Sequence, residues 1–274
     1  SAAAATLTLR LLQERDSAER LAQRLELSAA ENRRLYSEQR TIAQTLQHAL
    51  LPTTLPQTLH LKTSARYAPG ERGIDVGGDW YDVMDVGEGR MLLVVGDVSG
   101  RGLRAATTMA SLRYAIRAYA TQGDPPPAIL TKLSHLVSVA EGGQLATVLC
   151  VLIDPARRVL SVASAGHLPP LLTGDASAGH YLQGELGVPI GVEAGAEYGA
   201  REMPLPEAGT LLAFTDGLVE TRGESIDDGL ERMRAAAARL HRLDLADLVA
   251  TLVTEVPGGG AEDDIAIVGV RWGT

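Results

Sequence analysis

GGDWYDV, residues Gly77 to Val83, lies shortly before VVGDVSGRG, residues Val94 to Gly102, and these two stretches decide how the chain folds. Each places an aspartate directly after a glycine, beside an apolar run. From Asp82 to Val98 the chain reads DVMDVGEGRMLLVVGDV. Two apolar runs flank Gly87-Glu88-Gly89, and this pattern predicts a β-hairpin. Carboxylates would then stand at strand ends, where glycine leaves the backbone open to a close ligand.

Further strand and helix patterns alternate on both sides of this hairpin. Strands are predicted at LHLKTSARY, at a second hairpin formed by ATVLCVLID and RVLSVASAG, at TLLAFTDG and at DIAIVGVRW. Helices are predicted over 103–119, 127–140, 229–240 and 245–255. Hairpins joined by pairs of helices indicate an α+β class with antiparallel sheets and segregated helices, rather than a parallel βαβ sheet.

The first fifty residues carry a different pattern. Residues 7–50 contain no proline or glycine and predict one long helix, which the proline-spaced LLPTTLP ends. A heptad frame places apolar residues at eight of twelve seam positions, so we expect a parallel dimeric coiled coil. The alternative is a helix that lies on its own domain. The seam consists of Leu11, Glu14, Ala18, Leu21, Leu25, Ser28, Asn32, Leu35, Gln39, Ile42, Leu46 and Ala49. We therefore divide the chain into a helical segment, 1–50, and a second domain, 51–274.

Composition excludes several classes of function. A net charge of −9 over 274 residues argues against a basic surface for nucleic acid or membrane, although an acidic protein can bind phosphate through a metal ion. The single cysteine, Cys150, lies in an apolar strand pattern and allows no disulfide within the chain. No apolar run is long enough for a membrane span, and Ser1 does not begin a signal peptide. We expect a cytoplasmic protein, with this chain a piece of a longer one.

Aspartates recur at the ends of apolar strands. They are Asp79, Asp97, Asp216 and the pair Asp263-Asp264. Several carboxylates close together cannot all stay ionised without a cation, and oxygen-only ligands favour Mg²⁺ or Mn²⁺ over zinc or copper. Two such ions could bind a phosphoryl group and activate water. Each position also has a simpler interpretation: a turn at Asp216, a helix cap at Asp97, or a solvated loop pair.

Six motifs, in order, resemble one known family. GGDWYDV, GDVSGRG, SAGHLPPLL, LGVPIGV, FTDGLVETR and DDIAIV are similar to the PPM family of metal-dependent serine/threonine phosphatases, in its bacterial SpoIIE/RsbU branch. The resemblance covers residues 44–271. It implies an αββα sandwich of two antiparallel β-sheets flanked by helices, with two Mn²⁺ or Mg²⁺ ions at one edge. It also implies in-line attack on phosphorus by a metal-bridging water, without a phosphoenzyme.

Motif matching carries the family's metal ligands onto this sequence. The resemblance implies that Asp97 bridges the two ions and that the Val98 carbonyl binds one of them. Asp216 and Asp263 would hold the other ion. Asp79 would act on the side of the first ion, directly or through water.

Three further positions carry alternatives. Asp264 matches a site that is often Asn in the family, so it ranks second to Asp263, and a one-residue slip would exchange their roles. Arg101 stands where the branch often has histidine; arginine is no general acid near pH 7, but it can hold phosphate in a bidentate contact. Arg101 is therefore either a phosphate contact or an exposed structural residue. His167 is either a catalytic base or, as we favour, a residue that positions its loop.

The resemblance also implies partners. The branch acts on phosphoserine or phosphothreonine of small regulatory proteins, usually anti-sigma-factor antagonists in partner switching. We expect such a substrate, a homodimer through the N-terminal helix, and an upstream sensor domain missing from this chain. The alternative is a PPM-like docking module with weak catalysis and inefficient metal binding.

Overall fold

The computed structural model describes residues 15–16, 19–38, 41, 50–70, 77–137, 144–174, 177–257 and 263–273, and its core lies between two β-sheets. The first sheet contains β1 (Leu61–Ala68), β11 (Ile265–Trp272), β10 (Gly209–Phe214), β6 (Leu171–Gly174) and β7 (Ser177–Tyr181), in that order. The second contains β2 (Trp80–Asp85), β3 (Met91–Val98), β4 (Ala146–Asp154), β5 (Val159–Ala165) and β8 (Glu185–Gly187), with β9 (Arg201–Pro204) also paired to β5.

Helices cover the outer face of each sheet. The helix α1 is described for residues 19–38. The helices α2 (Leu103–Thr121) and α3 (Pro126–Leu136) pack on the second sheet, and α4 (Ile226–Leu240) and α5 (Leu245–Glu255) pack on the first. The arrangement confirms the α+β class that the sequence patterns predict and the αββα sandwich that the family resemblance implies.

The central strands are apolar along their whole length because both of their faces are covered. In β3 every residue except Asp97 is buried, and β4 beside it is buried almost throughout. Cys150 lies in β4, and burial raises the pKa of its thiol to about 12. The thiol is therefore neutral at physiological pH, which confirms that Cys150 is a core residue and not a nucleophile.

Sequence patterns find the long elements and miss the short ones. The four strands from β6 to β9 were not predicted, because strands of three to five residues are too short to show a periodicity. One pairing, between β5 and β8, is parallel. Helix α4 begins at Ile226, three residues before its predicted start, because Ser225 and Asp228 form a capping box there.

The described part of α1 does not lie on the sandwich. Its seam leucines are solvent-exposed: Leu21 by 59%, Leu25 by 62% and Leu35 by 45%. This excludes the packing of these residues against their own domain. The coiled coil and the division at residue 50 stay predictions, and the seam residues outside 19–38 lie beyond the described part. No helix within the described residues is long and apolar enough to cross a membrane.

Trp80 anchors the start of β2 in the core. The side chain is fully buried, and Trp80 pairs with Gly96 of β3. A Cβ atom on Gly96 would lie 2.2 Å from Cη2 of Trp80. The absence of a side chain at residue 96 thus lets the indole pack beside Asp97.

Substitution of Gly96 by alanine tests this packing. We expect Gly96→Ala to lower the free energy of unfolding by about 1–3 kcal/mol, because the indole must leave its position. Urea denaturation measures the change. Gly174→Ala is the matched control, since a Cβ there would meet its nearest atom at an ordinary 3.4 Å. A Gly96→Ala protein as stable as the control would contradict the packing argument.

Candidate active site

Both sheets bring aspartates to one edge of the sandwich. Asp79 directly precedes β2, and Asp97 lies near the end of β3, which is paired with the start of β2. Asp216 follows the end of β10, and Asp263 and Asp264 precede the start of β11, which is paired with that end. All five aspartates singled out in the sequence thus stand at strand ends on the same edge.

The carboxyl groups of Asp79 and Asp97 interact directly. Burial, followed by the charge of Asp97, raises the pKa of Asp79 well above its ordinary value. Burial also raises the pKa of Asp97, but its hydrogen bond to Asp79 acts in the opposite direction. Burial and the charge of Asp97 thus favour the protonated form of Asp79, and the hydrogen bond favours the charged form of Asp97. The two carboxyl groups therefore lie within hydrogen-bond reach of each other.

Asp216 is part of the same electrostatic cluster. Its pKa is raised to about 6, first by burial and then by the charges of Asp97, Glu220 and Asp263. The charges of Asp263 and Asp264 likewise raise the pKa of Asp97. The cluster is self-repelling without a cation, as its composition predicts.

Glycines make room for the oxygen atoms of this edge. A Cβ atom on Gly78 would lie 2.0 Å from the Val98 carbonyl oxygen, and the Val98 amide donates to the Gly78 carbonyl at 3.2 Å. A Cβ atom on Gly217 would lie 2.1 Å from the Asp264 carbonyl oxygen. The sequence suggested that these glycines leave room for a ligand. The structure shows that the space beside Gly78 and Gly217 is occupied by the carbonyl groups of Val98 and Asp264.

The structure distinguishes Asp264 from Asp263. Asp264 is buried, and its Oδ1 accepts the Gly70 amide at 2.8 Å. The Asp263 side chain is 57% exposed, and its Oδ2 lies 3.0 Å from Nη2 of Arg101. Asp264 is therefore held by the Gly70 amide, whereas Asp263 is held by the half-exposed ion pair with Arg101 and by the Asp264 amide, which donates to its Oδ1 at 2.9 Å.

The donor set fits a hard divalent cation. All the clustered ligands are oxygen atoms, and Oδ2 of Asp79 is buried without a hydrogen-bond partner among the described residues. An orphaned buried carboxylate oxygen is costly and calls for a partner. Within those same residues, no three acidic, histidine or cysteine side chains are arranged closely enough to coordinate one metal ion. The carboxylates are gathered, but side-chain rotation must complete any ligand shell.

The sequence analysis did not identify Thr215, whose side chain holds Asp79 in place. The Thr215 side chain lowers the pKa of Asp79 by a hydrogen bond, and its Oγ1 accepts the Ala266 amide at 2.9 Å. It is fully buried between Phe214 and Asp216. A polar residue at the end of the apolar run TLLAF was the available signal.

His167 does not face the carboxylates as a base. The residue is buried, its ring contacts Thr147 and the Phe214 carbonyl, and burial lowers its pKa to about 4. The catalytic-base interpretation is therefore wrong for this geometry, and the favoured positioning interpretation agrees with it.

Comparison with known proteins identifies a matching family and several relatives. The family model described as "Stage II sporulation protein E (SpoIIE)" matches residues 87–273. Phosphoserine phosphatase RsbP of Bacillus subtilis (strain 168) is 30% identical over 151 residues, which cover 53% of this chain and 37% of RsbP. The chain thus spans well under two thirds of that relative.

Solved structures share the fold. The RsbU and RsbW domains of Rv1364c from Mycobacterium tuberculosis align with a TM-score of 0.70 and 24% identity, over 81% of this chain and 63% of that one. RsbX, solved in complex with magnesium, aligns with a TM-score of 0.63 and 13% identity, over 80% of this chain and 98% of that one.

The raised pKa of Asp216 predicts that cation binding depends on pH. A ligand carboxylate must lose its proton, so Mn²⁺ binding should release protons and tighten as pH rises through about 6. From Asp216 alone we expect affinity about tenfold higher at pH 7 than at pH 5. Titration calorimetry in two buffers of different ionisation enthalpy measures both quantities. Equal affinity at the two pH values, without proton release, would contradict the assignment.

Proposed function

The chain belongs to the SpoIIE family, and from this premise we propose that it is a metal-dependent protein phosphatase acting on phosphoserine or phosphothreonine. One observation carries the proposal: buried and half-buried carboxylates from both sheets meet at one edge, where burial and neighbouring charges raise the pKa values of Asp79, Asp97 and Asp216. The name of the relative RsbP, a phosphoserine phosphatase, supports the same substrate class.

We assign the ligand roles as follows. Asp97 would bridge two ions, with the Val98 carbonyl and Asp79 on the side of the first. Asp216 and Asp263 would bind the second. Asp264 stays second to Asp263, because its contacts with Gly70 already fix its carboxylate. Bound there, two Mn²⁺ or Mg²⁺ ions would neutralise the phosphoryl group and make water nucleophilic near neutral pH.

The chain's own residues arrange the substrate and the protons. Burial raises the pKa of Asp79, so any proton on this carboxyl must leave before Asp79 and Asp97 can both act as anionic ligands. Arg101 holds Asp263 in this structure, and once Asp263 turns to a cation its guanidinium can donate to phosphate oxygens instead. Arg101 cannot supply a proton to the leaving oxygen near pH 7, so that proton comes from solvent.

A cleft beside the cluster is the place for the phosphorylated residue. It has a volume of 420 Å³ and is lined in part by Arg101, Arg222, Glu220 and Asp263. A larger cavity of 520 Å³ lies between β2 and α2, but none of the aspartates of the site lines it. We assign the phosphorylated residue to the smaller cleft because Arg101 and Asp263, which take part in the proposed reaction, line it.

We also propose the biological setting that the resemblance implies. The substrate is a phosphorylated regulatory protein of the anti-sigma-factor-antagonist type, in bacterial partner switching in the cytoplasm. Residues 1–50 form a coiled coil that makes a homodimer and passes a signal from an upstream sensor domain to the domain of residues 51–274. The exposed seam of α1 supports this role, since Leu21, Leu25 and Leu35 have no cover within the described chain.

Substitution of the bridging ligand tests the activity. With Mn²⁺ and a phosphoserine peptide, we expect Asp97→Asn to lower kcat at least about 1000-fold, because one charge is lost where both ions bind. EDTA should abolish release of phosphate. Asp85→Asn is the matched control, because Asp85 is exposed at the far end of β2. Phosphate release that survives EDTA and Asp97→Asn would contradict the mechanism, and absence of specific Mn²⁺ binding would favour a docking module.

Replacement of Arg101 tests its two contacts. We expect Arg101→Ala to raise KM for the phosphopeptide about tenfold, through loss of a charged hydrogen bond. Mn²⁺ affinity should rise by up to about fivefold, because Asp263 loses a half-exposed ion pair worth up to about 1 kcal/mol. Steady-state kinetics and calorimetry give the two values, with Arg101→Lys as the charge-conserving control. An unchanged KM would remove Arg101 from the substrate site.

A further inference from the structure

His167 lies where the chain crosses from the second sheet to the first. It follows β5 and precedes β6, and its backbone is fixed by Ser164, whose hydroxyl bonds both the amide and the carbonyl of His167 at 3.1 Å. Gly166 beside it has a φ of 69°, a conformation that favours glycine. The loop therefore presents the imidazole in one orientation.

Each ring nitrogen contacts a different sheet. Nε2 lies 3.2 Å from the Phe214 carbonyl oxygen of β10, and Nδ1 lies 2.8 Å from Oγ1 of Thr147 of β4. A carbonyl oxygen can only accept, so Nε2 must carry the hydrogen. In a neutral ring, Nδ1 then accepts the Thr147 hydroxyl hydrogen. The two contacts together define a single tautomer.

Both contacts lie next to site aspartates. Thr147 pairs with Asp97 across β3 and β4, so their side chains point to the same face of the sheet. Because the single hydroxyl hydrogen of Thr147 is used on Nδ1, Thr147 does not donate it to Asp97. This leaves the Asp97 carboxylate to Asp79 and to any cation.

The contact with Phe214 lies where the hydrogen-bonded pairing of β6 with β10 ends. β6 pairs with β10 only as far as Leu212, so the Phe214 carbonyl has no strand partner on that side. His167 donates to it at the position that a further strand residue would otherwise occupy. Phe214 leads directly into Thr215 and Asp216, so this hydrogen bond fixes where the β10 end meets the site.

We propose that His167 is a positioning residue: its neutral imidazole joins the β4 side of the Asp97 strand pair to the end of β10, and so sets the separation of Asp97 and Asp216. The carboxylates come from different sheets, and backbone hydrogen bonds within either sheet cannot fix that separation. This ring hydrogen-bonds both β4 and the end of β10, and the Thr215 hydroxyl adds a second link from the end of β10 to Asp79. The inference rests on the proposed function for its effect on cations, but its structural part stands without them.

The test compares His167→Asn with His167→Gln. Asparagine can face Thr147 but cannot reach the Phe214 carbonyl, whereas the longer glutamine amide can donate to it. In metal-free protein we expect His167→Asn to speed amide hydrogen exchange about tenfold in residues 94–99 and 212–218. In the same folded variant, Mn²⁺ affinity should fall about tenfold, and glutamine should recover part of both effects.

Tyr181→Phe is the matched control. It also removes one hydrogen bond from a side chain to a carbonyl, between Tyr181 and Leu230 at 2.7 Å, while its ring keeps the edge contact with Phe214. We expect a comparable loss of thermal stability, with exchange in both stretches and Mn²⁺ affinity within about twofold of wild type. If Tyr181→Phe reproduces the changes of His167→Asn, general destabilisation explains them and the proposal fails.

Two further outcomes are decisive. Should His167→Asn not fold, Thr147→Val removes one ring contact with an isosteric side chain, and faster exchange in residues 94–99 is expected; unchanged exchange there overturns the proposal. Nitrogen chemical shifts of the ring should show a hydrogen on Nε2 at pH 7, and a hydrogen on Nδ1 instead would also overturn it. A wild-type protein that binds no Mn²⁺ refutes the proposed function, while the exchange data still decide the role of His167.

Discussion

Repulsion among buried and half-buried carboxylates is the constraint on which this structure depends. Asp79, Asp97 and Asp216 approach one another at an edge where burial already disfavours their charges. The fold tolerates them because burial favours the protonated form of Asp79, and because Arg101 pairs with Asp263. In the proposed function a divalent cation would replace both compensations, since its charge would offset the carboxylates. The glycines and Thr215 serve the same edge, because they admit or support its oxygen atoms.

The long strands can be predicted from the sequence because they are buried in the centre of the sheets. β3 and β4 are covered on both faces, so they read as continuous apolar runs, and the turn at Gly87-Glu88-Gly89 has three positive φ values that mark it clearly. The strands β8 and β9 have mostly exposed residues and only three or four positions each. Their pairing with β5 is decided by neighbours distant in sequence, which no local pattern encodes.

The same distinction holds for the site. Motif spacing identifies the aspartates, since each stands where an apolar run meets a turn. It does not separate Asp264 from Asp263, because that difference comes from the amide of Gly70, 194 residues away in sequence. Nor does it show that the ring of His167 faces Thr147 and Phe214 rather than the carboxylates. Both properties arise when two sheets meet, and so they require the tertiary structure.

The central claim is that this edge binds a pair of divalent cations. Anomalous diffraction from crystals grown with Mn²⁺ tests it most directly, because it locates the ions without reference to activity. The account predicts two peaks, each about 2.1 Å from an oxygen of Asp97, with Asp216 and Asp263 around one of them. An edge without a peak, or peaks that avoid Asp97, would contradict the account.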